Sequence, residues 1–175
     1  RDRAEPVSAA AAALTGSALL PGMARAQAAR VSMADLMAPQ GLPDAWIGKA
    51  DAPVTIIEYA SMTCSHCAAF HKSTFKELKA KYLDTGKARL SVREFPFDPL
   101  AMAGFMLARC QGDEKREAMM DLLFTQQTDW VNDKPLEGLT TLTRQAGMSE
   151  EAFKKCLDDK DLYDKIGEVR DNATK

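Results

Sequence analysis

At 175 residues the chain has the length of one domain with a modest insertion, and its 46% hydrophobic content is ordinary for a globular protein. A formal charge of -2 offers no basic footprint for nucleic acid, and no apolar run is long enough to anchor a mature protein across a bilayer. The four cysteines fall into two sets, Cys64 with Cys67 and Cys110 with Cys156, an even number compatible with an oxidising compartment.

Residues 1–28 read as a partial export signal. Arg1 and Arg3 precede the weakly apolar residues 9–20, and Ala24-Arg25-Ala26-Gln27-Ala28 supplies small residues in the A-x-A cleavage pattern. The alternative is an alanine-rich tail of low complexity. With no initiator Met, the chain is expected to begin inside the signal, so this segment is set aside from the fold.

Residues 29–97 form the next expected unit. A short amphipathic piece after Val31 gives way to Pro39, Gly41, Pro43 and Gly48, which mark a connecting segment. Val54-Thr55-Ile56-Ile57-Glu58-Tyr59 then predicts a strand, and its apolar run suggests a central position covered on both faces. Ser61-Met62-Thr63 makes a turn into a helix expected over residues 64–81, with Cys67, Phe70, Phe75, Leu78 and Tyr82 on its buried side. Residues 88–95 predict a second strand, stopped by Pro96 and Pro99.

Beyond Pro99 the pattern is helical. Residues 100–110, 115–127, 136–146, 149–157 and 161–173 carry helical spacing, with breaks at Gly112, Pro135, Gly147 and Asp158-Asp159. Ser149, followed by Glu150 and Glu151, is a plausible helix cap. Residues 98–175 are therefore expected to form a compact helical insertion after a strand–helix–strand start.

The chemistry concentrates at Cys64-Ser65-His66-Cys67. Two thiols one helical turn apart, at the entrance of a helix leaving a sheet, can close and reopen a small disulfide loop. Unpaired N–H groups and the positive end of the helix dipole favour a thiolate at that entrance. Cys64 is the expected nucleophile and Cys67 the more buried, resolving thiol. A cationic His66 beside them would favour the thiolate further. Whatever stabilises the reduced form makes the disulfide easier to reduce, which defines an oxidant toward clients.

Glu58 is a carboxyl group in an otherwise apolar strand. It either exchanges a proton with Cys67, or points to a rim, or pairs with a lysine such as Lys79 or Lys81. His71, one turn after Cys67, reads as a packing or surface histidine. A single C-x-x-C is half a zinc site; a structural zinc normally needs four closed ligands, and the strand-turn-helix setting argues for redox chemistry. Cys110 and Cys156 read as a structural disulfide within the helical region, the alternative being two buried free thiols. Closing that loop would cost the unfolded chain about 4 kcal/mol in the chain-entropy model.

With these residues in place the chain resembles the DsbA family of thioredoxin-fold thiol oxidases, in particular members with a second cysteine pair in the helical domain. The resemblance rests on Ile47-Gly48 before Asp51-Ala52-Pro53-Val54, the strand holding Glu58, Cys64-Ser65-His66-Cys67, Arg93-Glu94-Phe95-Pro96, and the helical stretch through Cys110 and Cys156. It implies an α/β thioredoxin-like fold with an inserted helical domain. It also implies a monomeric periplasmic protein-disulfide oxidoreductase, without cofactor or metal, that passes its disulfide to newly exported, reduced and unfolded proteins. A quinone-linked membrane oxidase of the DsbB or VKOR type would reoxidise it. Cys64 matches the family's attacking cysteine, Cys67 its partner, His66 the histidine that stabilises the thiolate, and Glu58 the buried acid. Ser65 stands where a proline is common.

The family's fold also needs a Thr-Pro segment with a cis proline facing the cysteines, then a strand hairpin and a last helix. Here the final proline is Pro135. The chain is thus expected to be incomplete at both ends, to expose a sheet edge, and to be a poor candidate for independent full activity. Other functions open to the same residues are an isomerase or reductase of this fold, and a non-catalytic, chaperone-like binding module using apolar ground near Met62 and Phe70.

Overall fold

The computed structural model describes residues 31–175, so the expected export signal at 1–28 lies outside the described residues. A short helix, α1 (Met33–Met37), belongs to a unit of its own. Ser32 caps it, accepting from the Asp35 N–H at 3.0 Å.

The unit from residue 38 to 175 is built on three strands, β1 (Trp46–Gly48), β2 (Val54–Ala60) and β3 (Ala88–Glu94), in the order β1-β3-β2. β2 and β3 run parallel, with Val54 opposite Ala88 and Ala60 opposite Glu94; β1 is antiparallel to β3, with Trp46 opposite Ser91. The central strand is β3, which corrects the central position expected for β2. Apolar content alone misleads here. β3 carries Ser91, Arg93 and Glu94 into the interior because each has a polar partner, whereas β2 lies at the edge of the sheet among the described residues and is half-buried. β1 falls inside what reads as a connecting segment. Three residues are too few to show a period, and Gly48, at φ 102°, passes close to the Ala88 carbonyl, where any side chain would collide.

The helix expected over 64–81 is three pieces. α2 (Ser65–Lys72) ends at Ser73, whose hydroxyl donates to the Ala69 carbonyl at 2.8 Å. α3 (Thr74–Leu78) follows, and a π-helical turn (Lys79–Leu83) completes the connection. The wider π turn shifts the helical register by one residue. Leu83 is consequently the fully buried residue (0% exposed), while Tyr82, expected inside, is 48% exposed.

The helical region comprises α4 (Pro99–Cys110), α5 (Asp113–Thr125), a 3-10 turn (Gln127–Asp129), α6 (Pro135–Gln145), α7 (Glu150–Leu157) and α8 (Lys160–Asn172). Its boundaries follow local rules. Asp98, Ser149 and Asp159 accept from the N–H groups of Ala101, Ala152 and Leu162, and Pro99 and Pro135 sit in the first turns of their helices. α4 is buried nearly all round, with Met102, Phe105, Met106 and Leu107 inside. Trp130 is fully buried beside it, its indole N–H donating to the Leu123 carbonyl at 2.8 Å. A disulfide joins Cys110 at the end of α4 to Cys156 in α7, with Cα atoms 6.0 Å apart.

The sheet is tied to the helices by charge. Glu94, 1% exposed, receives Arg109 Nε at 2.7 Å on Oε1 and Nη2 at 3.1 Å on Oε2. Arg116, equally buried, donates to Glu94 Oε1 at 2.6 Å and to the Val92 carbonyl at 3.0 Å. Burial by itself would lift the Glu94 carboxyl. The two guanidinium groups outweigh it and hold the group below the usual carboxylate range. A second pair, Arg93 with Asp44, fixes the segment before β1 through two bonds of 2.8 Å.

Candidate active site

The end of β2, the turn that follows and the first turn of α2 carry the two free cysteines. Cys64 is the N-cap of α2. Its extended backbone (φ -76°, ψ 117°) turns the side chain back over the helix, and the Cys67 N–H donates to Cys64 Sγ at 3.4 Å. The sulfur thus takes the place of a capping oxygen and meets the unpaired N–H groups of the first turn. Burial would push the Cys64 thiol up. Hydrogen bonds from the Cys67 N–H, the Cys67 thiol and the His66 N–H outweigh that, against opposition from the Glu58 charge, and bring it below an ordinary cysteine. Cys67 moves the opposite way, pushed up to about 11 by burial first and by the charges of Cys64 and Glu58. One thiol is therefore poised to ionise and the other to keep its proton.

The turn is held from several directions. The Cys64 N–H donates to the Ser61 carbonyl at 3.0 Å, and the Thr63 hydroxyl donates to Asp98 Oδ2 at 2.6 Å. Asp98 thereby caps α4 with one oxygen and steadies the turn before Cys64 with the other. The Phe97 N–H donates to the Ser61 hydroxyl oxygen at 3.3 Å. Met62 is fully buried against α4 at Gly104, where a Cβ would lie only 3.1 Å from the Met62 side chain. Gln127, from the 3-10 turn after α5, donates to the carbonyls of Met62 and Cys64.

His66 is exposed, and its hydrogen bond to the Cys64 sulfur comes from the backbone N–H. Glu58 is half-buried, and its charge acts on both thiols. It pairs with neither lysine: Lys79 reaches Asp84 and Glu117, and Lys81 reaches Glu77. Its neighbour is His71, with Nε2 3.4 Å from Glu58 Oε2. His71 is 2% exposed and stacks on Phe124, ring centroids 4.2 Å apart. This is the packing alternative of the sequence reading, not the surface one, and its spacing of four from Cys67, a signal readable in the sequence, puts both on one face of α2. Gln127 and Asp98 had no such signal, because they reach the turn from distant sequence. Cys110 and Cys156 lie apart from this site, bonded to each other.

A strand, a turn and a helix capped by one of two cysteines, on a small mixed sheet with helices packed around it, define a thioredoxin-like dithiol protein. Residues 41–175 match the family model described as "Thioredoxin" (Thioredoxin_4). The chain belongs to that family, as a DsbA-type member with the thioredoxin-like α/β fold and a large helical content. Among solved structures it is similar to alpha-DsbA1 of Wolbachia pipientis, at 33% identity and a TM-score of 0.74 over 81% of this chain and 72% of that one. Among curated proteins it is 39% identical over 128 residues to one named as a candidate protein-disulfide oxidoreductase of Rickettsia bellii, covering 72% of this chain and 48% of that protein. The chain spans about half the length of that relative. BdbD of Bacillus subtilis, at 21% identity and a TM-score of 0.64 over 75% of this chain and 74% of that one, shares the fold.

The two thiols give the reduced protein a defined pH profile. At low pH Cys64 is protonated in both folded and unfolded chains and contributes nothing. As pH rises, the folded state ionises first and the unfolded state holds more protons, so stability increases until the ordinary cysteine range of about 8.5 is passed. Cys67 reverses the sign: above that range the unfolded thiol ionises first, and stability falls until about 11. Urea unfolding of the dithiol form against pH should therefore show a maximum near the ordinary thiol range. A Cys64→Ala variant should lose the rising limb and keep the falling one.

Proposed function

We propose that this chain carries the redox centre of a periplasmic thiol:disulfide oxidoreductase that donates its Cys64–Cys67 disulfide to newly exported proteins. The observation that carries the reading is the opposed environment of the two sulfurs: Cys64 on the helix N-terminus, Cys67 retaining its proton. A client thiolate attacks Cys64 Sγ and breaks the Cys64–Cys67 bond, and Cys67 leaves and takes up a proton. A second client thiolate then attacks its own sulfur in the mixed disulfide and expels Cys64 as a stabilised thiolate. A low-pKa thiol leaves faster, so the second step favours release. The client loses two electrons and two protons, and the dithiol holds the electrons until a quinone-linked membrane oxidase of the DsbB or VKOR type removes them. His66 supports the Cys64 thiolate, and Glu58 exchanges a proton with Cys67.

The Cys110–Cys156 disulfide supports an oxidising location, since such bonds persist outside the reducing cytosol. So does the export-signal pattern in residues 1–28. Residues 98–175 act as the helical insertion of the fold, and its disulfide is structural. Equilibration of the full-length protein with glutathione tests the direction of electron flow. The oxidase reading expects a potential well above the thioredoxin value of about -270 mV. A value as low as that of thioredoxin would identify a reductant and reject the reading.

A further inference from the structure

Gln127 stands out among the buried polar side chains. It is 7% exposed, and both hydrogens of its amide nitrogen leave the helical region for the redox turn: one to the Met62 carbonyl at 2.8 Å, one to the Cys64 carbonyl at 3.0 Å. A buried carboxamide needs its hydrogen bonds, and any nearby backbone could supply them. These two carbonyls instead bracket the Thr63 residue and end at the N-cap itself.

The backbone under Gln127 is rigidly set. Its own carbonyl accepts from the N–H groups of Trp130 at 3.3 Å and Val131 at 2.8 Å, and the next residues lead into the fully buried Trp130. The Cys64 carbonyl already accepts the first bond of α2, from the Ala68 N–H at 3.1 Å. Gln127 adds a second donor to that oxygen. Two effects follow. The donors cancel part of the negative ends of two carbonyl dipoles close to the sulfur, and they fix the peptide planes that set where the Cys64 side chain points. Thr63–Asp98 steadies the same turn, but only through a side chain.

We propose that Gln127 is a positioning residue, its carboxamide holding the Met62–Cys64 backbone so that the first-turn N–H groups stay aimed at the Cys64 sulfur. The inference rests on the thiol-exchange reading of Cys64 and Cys67. It predicts that the two Gln127 bonds are tighter in the thiolate form than in the disulfide form, by linkage.

Two variants of nearly equal size separate this from mere packing. Gln127→Met removes both donors, and Gln127→Glu turns a carboxylate against two carbonyls. Each should raise the pH at which Cys64 ionises, followed by thiolate absorbance. Each should also shift the glutathione equilibrium toward the protein disulfide by about fivefold or more, the scale of one to two hydrogen bonds. Variants that fold, titrate like the parent and equilibrate within about twofold of it overturn the inference. A parent that exchanges no disulfide with glutathione overturns the functional reading instead. If neither variant folds, through-hydrogen-bond NMR couplings from Gln127 Nε2 to the Met62 and Cys64 carbonyl carbons decide in the unaltered protein. Couplings larger in the ionised dithiol form support the role; couplings absent, or equal in both redox forms, overturn it.

Discussion

A Cys64→Ser variant of the full-length protein is expected to lose disulfide donation to a reduced, unfolded test protein down to the uncatalysed background. A hydroxyl oxygen forms no disulfide, so neither the mixed disulfide nor the Cys64–Cys67 bond can exist. The loss should be purely chemical. Serine is itself a preferred N-cap, so α2 should be kept, and the reduced form should lose only the stability that ionisation of Cys64 adds as pH rises. A Cys67→Ser variant should behave differently when given a client that already carries a disulfide: the Cys64 thiolate attacks that bond, expels one client thiolate and keeps the other client sulfur bound, because the thiol that resolves the return half-cycle is gone. Non-reducing electrophoresis reads both outcomes. A Cys64→Ser protein that still promotes folding of its client would mark a binding module, not an oxidase.

The second large effect lies away from the sulfurs. Glu94→Ala should destabilise the protein by about 3–5 kcal/mol in urea unfolding, the scale for removing one partner of a buried ion pair. Arg109 and Arg116 would be left facing each other, and Arg116, only 1% exposed, would keep a single bond to the Val92 carbonyl. A paired Glu94→Leu, Arg116→Met replacement should cost much less than the sum of the single changes, since it removes a charge of each sign from the interior. A loss below about 1 kcal/mol for Glu94→Ala would mean that apolar packing alone joins the sheet to α4 and α5.

The same residues show what a sequence makes legible. Helix boundaries were readable wherever a cap or breaker is local: Ser149 caps α7, Pro135 opens α6, and Gly147, at φ 87°, closes it. Thiol–disulfide chemistry was readable from the strand, turn and cysteine spacing, and the thioredoxin-like class came with the resemblance to the DsbA family. Three features were not. The break at Ser73 and the π turn after Leu78 follow from how α2 and α3 pack, and the periodicity of residues 64–81 is compatible with one straight helix. β1 is too short to carry a pattern. The central strand is the more polar of the two long strands, because Asp44, Arg109 and Arg116 arrive from elsewhere to satisfy it.

By itself, the sequence determined that a cysteine pair one turn apart stands at a helix entrance, since strand, turn and cap are each written in adjacent residues. Only the tertiary structure decided what surrounds that pair: His71 beside Glu58, Asp98 on Thr63, and Gln127 across the turn. Those contacts join positions up to 65 residues apart. Backbone propensity acts between neighbours along the chain, whereas desolvation and hydrogen bonding act between neighbours in space.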